Sequence, residues 1–164
     1  MKTTTISTAS GRRLFHYTIV SRLLNIVVEG EIKPATLFVD RAEKPVVWFS
    51  FRQDWEPTAT PAYEKNGTVR QITFAELVEI ESPARIEIDP AAAPLDWRAW
   101  RQLSGVRSKI IKGLEAVALR QRASASDWRM SFDPVRRKDG HWLAMEIFSE
   151  GHWRNANDVL SKST

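Results

Sequence analysis

Val46-Val47-Trp48-Phe49-Ser50-Phe51 is the stretch that most narrows the fold. It is six residues long, nearly all apolar, and fenced by Pro45 before it and Arg52-Gln53-Asp54 after it. A run this short, rich in β-branched and aromatic side chains, reads as a central strand with both faces covered, not as a helix. Such a strand needs neighbours and covering layers. Leu14-Phe15-His16-Tyr17-Thr18 is a β-prone first strand. Behind it Val20, Leu23, Leu24, Val27 and Val28 recur at helical spacing, and Gly30 is placed to end the helix. Residues 84–89 alternate polar and apolar, a half-buried strand closed by Pro90. Residues 130–135 and 142–148 read as two closing strands joined in a hairpin through Asp139-Gly140, a pair that favours a tight turn. Ser149-Glu150-Gly151 turns the chain again before Trp153.

Three further helix starts are legible. Thr73-Phe74-Ala75-Glu76 matches a capping box. Asp96 is an N-cap for a helix through Leu103, with Trp97 and Trp100 on one side. Ser108 opens a longer helix with Ile110, Ile111, Leu114, Val117, Ala118 and Leu119 on its apolar face. Residues 53–67, with Pro57, Pro61 and Gly67, read as a long surface loop of the kind that often carries function. Residues 1–11 are Thr/Ser-rich and read as a mobile tail. Residues 12–160 then form a single α+β domain with segregated helices. There is no regular βαβ alternation, no G-x-G-x-x-G and no Walker A sequence, which argues against Rossmann and P-loop nucleotide folds.

The 164-residue chain has no cysteine, which excludes disulfides, thiolate metal sites and thiol catalysis. Its three histidines, His16, His141 and His152, are too scattered to suggest a metal site. No apolar stretch reaches the roughly 20 residues of a membrane span, and the N-terminus lacks a signal-like apolar core, so a cytoplasmic location is expected. The net charge of +4 hides a segregation: residues 54–96 hold 3 Lys/Arg against 9 Asp/Glu, and residues 97–138 hold 11 against 3. A basic segment of that density suits phosphate or an acidic protein partner, or else neutralises the acidic face beside it.

The most specific pattern joins the first two strands. His16-Tyr17-Thr18, a helix closed by Gly30, and Trp48-Phe49-Ser50 some thirty residues on resemble the ADP-ribosyltransferase superfamily, nearest its bacterial and phage branch that modifies nucleic acid or protein. The resemblance covers about residues 13–60. It implies a split antiparallel sheet with NAD in its cleft. His16 would bond the adenosine ribose, Thr18 would orient the dinucleotide, and Trp48 or Phe49 would wall the nicotinamide pocket. Ser50 would be the serine of the second motif, although that motif has Trp where the family has Tyr. The family also uses a glutamate that steadies positive charge on the ribose. Glu146 is the first candidate, because alternation sets it with Trp142 and Phe148, away from Leu143, Met145 and Ile147. Glu87 is the second and Glu56 the third. A relative that has kept the fold and lost catalysis is the alternative, as is a structural or assembly component.

The basic segment carries a second, weaker pattern. Residues 103–114 resemble a helix-hairpin-helix turn that offers backbone N–H groups to DNA phosphate, with Arg107 where the second glycine of that motif belongs. Arg98, Arg101, Arg107, Lys109, Lys112, Arg120 and Arg122 are the expected nucleic-acid contacts. Seven tryptophans, among them Trp97, Trp100 and Trp128, each followed directly by Arg, are candidates either for base stacking or for core. The sequence is silent on oligomeric state.

Overall fold

The computed structural model describes residues 11–35 and 43–162; most of the expected N-terminal tail lies outside the described residues. In chain order the elements are β1 (Leu14–Ile19), α1 (Val20–Glu29), β2 (Glu31–Ile32), β3 (Val47–Ser50), β4 (Ala62–Lys65), β5 (Thr68–Gln71), α2 (Phe74–Ile80), β6 (Pro83–Ile88), β7 (Leu95–Asp96), α3 (Trp97–Leu103), α4 (Ser108–Arg120), β8 (Trp128–Ser131), β9 (Val135–Arg136), β10 (Trp142–Ser149), β11 (His152–Asn155) and α5 (Ala156–Leu160). A seven-stranded sheet in the order β11-β10-β6-β1-β3-β8-β7 organises them, and its paired neighbours are antiparallel. The fold is thus α+β with an antiparallel sheet. Among the described residues no helix is long and apolar enough to cross a membrane.

Local chemistry sets the helix ends. Gly30 takes a left-handed φ of 72°, and its N–H donates to the Ile26 carbonyl at 2.8 Å, closing α1. Thr73 and Glu76 make both bonds of the capping box at α2. The Asp96 carboxylate accepts from the Ala99 N–H at 2.8 Å, starting α3.

Each sheet face has its own core. Leu14, Val47, Phe49, Ile86, Ile88 and Ile147 pack on one side with Leu23 of α1 and Ala156 of α5. Phe15, Tyr17, Trp55 and Leu77 pack on the other, and beside them Trp100, Ile111, Ala118, Trp128 and Met130 form a third cluster under α3 and α4. The tryptophans therefore belong chiefly to the core. Trp97 stacks on Trp100 at 4.8 Å, Trp48 meets Trp100 edge-on at 5.2 Å, and Trp55 stacks with Trp153 at 6.4 Å. Trp100 is fully buried and Trp128 is 5% exposed, so neither offers a ring face to a nucleobase.

Three expectations are corrected. The strands expected to close as a hairpin do not pair: β8 lies between β3 and β7, and β10 lies between β6 and β11. Gly140, at φ 79°, ends a 3-10 turn instead. The strand at residues 84–89 is interior, and its polar Arg85 is buried. Finally, β10 shifts register between Trp142 and Ala144. This bulge turns Leu143 outward and puts Trp142 with Met145 and Ile147, leaving Glu146 and Phe148 on the opposite face.

Candidate active site where two strands part

β1 and β3 share one register pair, Phe15 opposite Ser50. Paired residues share a face, so Phe15 and Ser50 point to one side, and alternation turns His16 to the other. Beyond that pair the strands separate, because β1 stays with β6 along its whole length while β3 stays with β8. The His16 ring fills the gap, with Nδ1 2.9 Å from the Trp48 carbonyl oxygen. A carbonyl only accepts, so Nδ1 carries the proton and donates. In the neutral ring Nε2 is then an acceptor.

The opening is one wall of a cavity of about 540 Å³. Phe15, His16, Trp48, Phe49 and Ser50 border it from the sheet, Glu56 and Thr58 from the following loop, Ile110, Leu114 and Val117 from α4, and Trp128 from β8. That volume falls in the usual small-molecule range of about 300–1,000 Å³. Thr18 borders a second cavity, of about 320 Å³, on the α1 side of His16.

Glu56 is 5% exposed, and its donors among the described residues are all neutral. The Ser50 hydroxyl donates to Oε2 at 2.7 Å, and the Thr58 hydroxyl and N–H donate to Oε1 at 2.6 and 3.3 Å. The Arg52 N–H donates to Ser50 Oγ at 3.1 Å, fixing the serine. Among the described residues no cation pairs with this carboxylate, so its charge is left for whatever enters the cavity. The backbone explains the arrangement locally, since Glu56 N-caps the 3-10 turn Pro57–Ala59.

Glu146 and Glu87 sit in a different environment. Arg85 Nε lies 2.7 Å from Glu146 Oε2, Arg13 Nη2 reaches Glu146 at 3.3 Å, and the same Arg13 nitrogen lies 2.7 Å from Glu87. The Arg85 guanidinium is held between the Phe15 and Trp153 rings, 3.9 and 4.2 Å from their centres. Neither carboxylate borders the cavity of His16 and Ser50, and both have guanidinium partners. Of the three candidate glutamates, Glu56 alone joins that cavity.

Burial is the main cause that lowers the His16 pKa below its ordinary value of 6.5, and repulsion from Arg22 adds to it against the bond to Trp48. The unfolded chain therefore takes up a proton near pH 6.5 that the folded chain refuses until lower pH. This contribution to stability is complete above pH 6.5 and is lost as pH falls through the folded value. His16→Asn keeps a donor near Nδ1 without the titration. Its melting temperature should fall less than wild type between pH 7 and pH 5; equal slopes would reject the assignment.

All seven expected nucleic-acid contacts are exposed. Arg98 and Arg101 lie three apart on α3; Lys109, Lys112 and Arg120 share one face of α4 by helical spacing. Arg101 reaches Glu115 of α4 at 3.8 Å, and Arg122 follows that helix at φ 57°. The turn between α3 and α4 is held by Ser104, whose carbonyl accepts from the Lys44 N–H at 2.9 Å. Opposite its basic face, α4 lends Ile110, Leu114 and Val117 to the cavity wall.

No family model matches the sequence, and neither the curated proteins nor the solved structures give a match.

Proposed function

We propose that the chain is an ADP-ribosyltransferase-like domain that takes NAD as substrate in the cavity between β1 and β3, with Glu56 as the carboxylate of the site. The observation that carries this reading is the buried Ser50–Glu56 pair, bonded at 2.7 Å and bordering the same cavity as a histidine whose Nδ1–H is committed to a carbonyl. His16 Nε2 accepts from a ribose hydroxyl. Trp48 supplies an aromatic wall, braced by Trp100 and Trp128 at 5.2 and 5.8 Å. When the bond from ribose to nicotinamide breaks, its electron pair leaves with the nicotinamide nitrogen and positive charge builds on the ribose. Glu56, fixed by three neutral hydrogen bonds, stabilises that charge with little reorganisation. The acceptor nucleophile then adds to the ribose carbon and gives its proton to solvent.

The basic outer faces of α3 and α4 favour nucleic acid as the acceptor, since α4 also forms part of the cavity wall. The second reading is a non-catalytic module that binds nucleic acid through the same seven side chains. Both predict salt-sensitive binding through counterion release, whereas only the first predicts a response to NAD. NAD at 100 times its dissociation constant should stabilise the fold by about 2.7 kcal/mol. A melting temperature unmoved by millimolar NAD would leave the binding-module reading.

A further inference from the structure

Two cavities meet at Arg22. The larger contains Ser50 and Glu56; the smaller lies past His16 and is bordered by Thr18, Asn25 and Lys33. His16, Tyr17 and Arg22 border both. A ligand that fills the pair must be elongated, with one head in each cavity and its middle passing Arg22. The other charges bordering the smaller cavity are matched with one another or with Arg136, since Lys33 lies 3.1 Å from Glu29 and 3.9 Å from Glu31, and Arg136 lies 3.2 Å from Glu31; Glu43 and Glu56 border only the larger cavity. Arg22, exposed on the first turn of α1, has no carboxylate partner among the described residues. Glu81, across from that turn, accepts from the Ser21 hydroxyl at 3.3 Å.

Resting on the reading of the larger cavity as a dinucleotide site, we infer that Arg22 holds the diphosphate that links the ligand's two halves. A guanidinium with no carboxylate partner among the described residues, at the waist of a two-lobed site, matches two phosphates between two nucleosides, because its planar fork bonds paired phosphate oxygens. A neutral ligand of the same length would leave that charge unmatched. Adenosine, which fills one lobe and lacks phosphate, should be indifferent to Arg22.

Titration calorimetry of wild type, Arg22→Ala and Arg22→Lys with ADP-ribose and with adenosine tests this. Wild type should bind ADP-ribose more tightly than adenosine. Arg22→Ala should lose about 10- to 100-fold on ADP-ribose and nothing on adenosine, with Arg22→Lys between them. Equal affinities of wild type and Arg22→Ala for ADP-ribose would overturn the inference, as would equal losses on both ligands or a wild type that does not prefer ADP-ribose. Thermal unfolding of each variant checks that it is folded, and an exposed Arg22 makes that the expected result. An Arg22-dependent ADP-ribose site without NAD turnover would uphold this inference while removing the catalytic reading; NAD turnover indifferent to Arg22→Ala would do the reverse.

Discussion

Glu56→Gln should yield a folded protein whose cleavage of NAD has fallen by about 10²- to 10³-fold, the usual effect of removing one preorganised electrostatic contact from a transition state. The amide keeps the shape of the carboxylate, and one oxygen still accepts a hydrogen bond. The nitrogen faces Ser50, whose hydroxyl can rotate to accept, because the remaining oxygen must still accept from the Thr58 N–H and hydroxyl. Stability should therefore change by no more than about 1 kcal/mol. What disappears is the negative charge. Release of nicotinamide, followed beside the melting temperature, measures both halves of the expectation. A Gln variant as active as wild type would remove Glu56 from the mechanism.

Glu146→Gln should have the opposite signature, a large loss of stability with the chemistry intact. Arg85 is 4% exposed, and its Nε sits 2.7 Å from Glu146 Oε2. The amide still offers Arg85 one oxygen, but the buried guanidinium loses its negative partner and keeps only neutral support beside it, from the Gln53 carbonyl, the Tyr17 hydroxyl and two aromatic faces. Breaking a buried pair by deleting one partner costs about 3–5 kcal/mol. The Glu146 side chain is 18% exposed, and Arg13 stays bonded to Glu87, so about 2–3 kcal/mol is the expected loss. Urea unfolding measures it. An unchanged midpoint would show that the network adds nothing to stability.

The sequence made the frame of the fold legible and hid its wiring. β1, α1, β3, α2, α3 and α4 announce themselves through period, caps and the apolar run at residues 46–51, all of them local signals. Strand order is not local. Asp139-Gly140 carries a hairpin dipeptide, yet β10 finds β6 and β8 finds β3, because pairing follows which apolar faces can be buried together. The β4–β5 hairpin was concealed for another reason. Its strands are mostly exposed and lack an apolar face, although Asn66 and Gly67, at φ 55° and 75°, are an Asn-Gly turn that could have been read.

The same division runs through the site. His16, Trp48 and Ser50 were found as neighbours of a strand pattern, and all three border one cavity. Glu56 ranked last of three glutamates because it sits in a loop, where alternation says nothing about direction. Its signal was Glu56-Pro57-Thr58: proline at the first position of a turn and a hydroxyl two residues on mark a capping carboxylate held in place. Glu146 looked better from its strand position, but its partners Arg85 and Arg13 lie 61 and 133 residues away in sequence, and no local pattern reveals them. A bulge at Leu143 also broke the alternation that placed Trp142 beside it.

Nicotinamide release measured side by side for wild type, Glu56→Gln and Glu146→Gln, at a temperature where all three are folded, tests the central assignment most directly. Wild type and Glu146→Gln should release nicotinamide at similar rates and Glu56→Gln far more slowly. The reverse pattern, with Glu146→Gln inactive and Glu56→Gln unimpaired, would contradict the account, and so would a wild type that releases none.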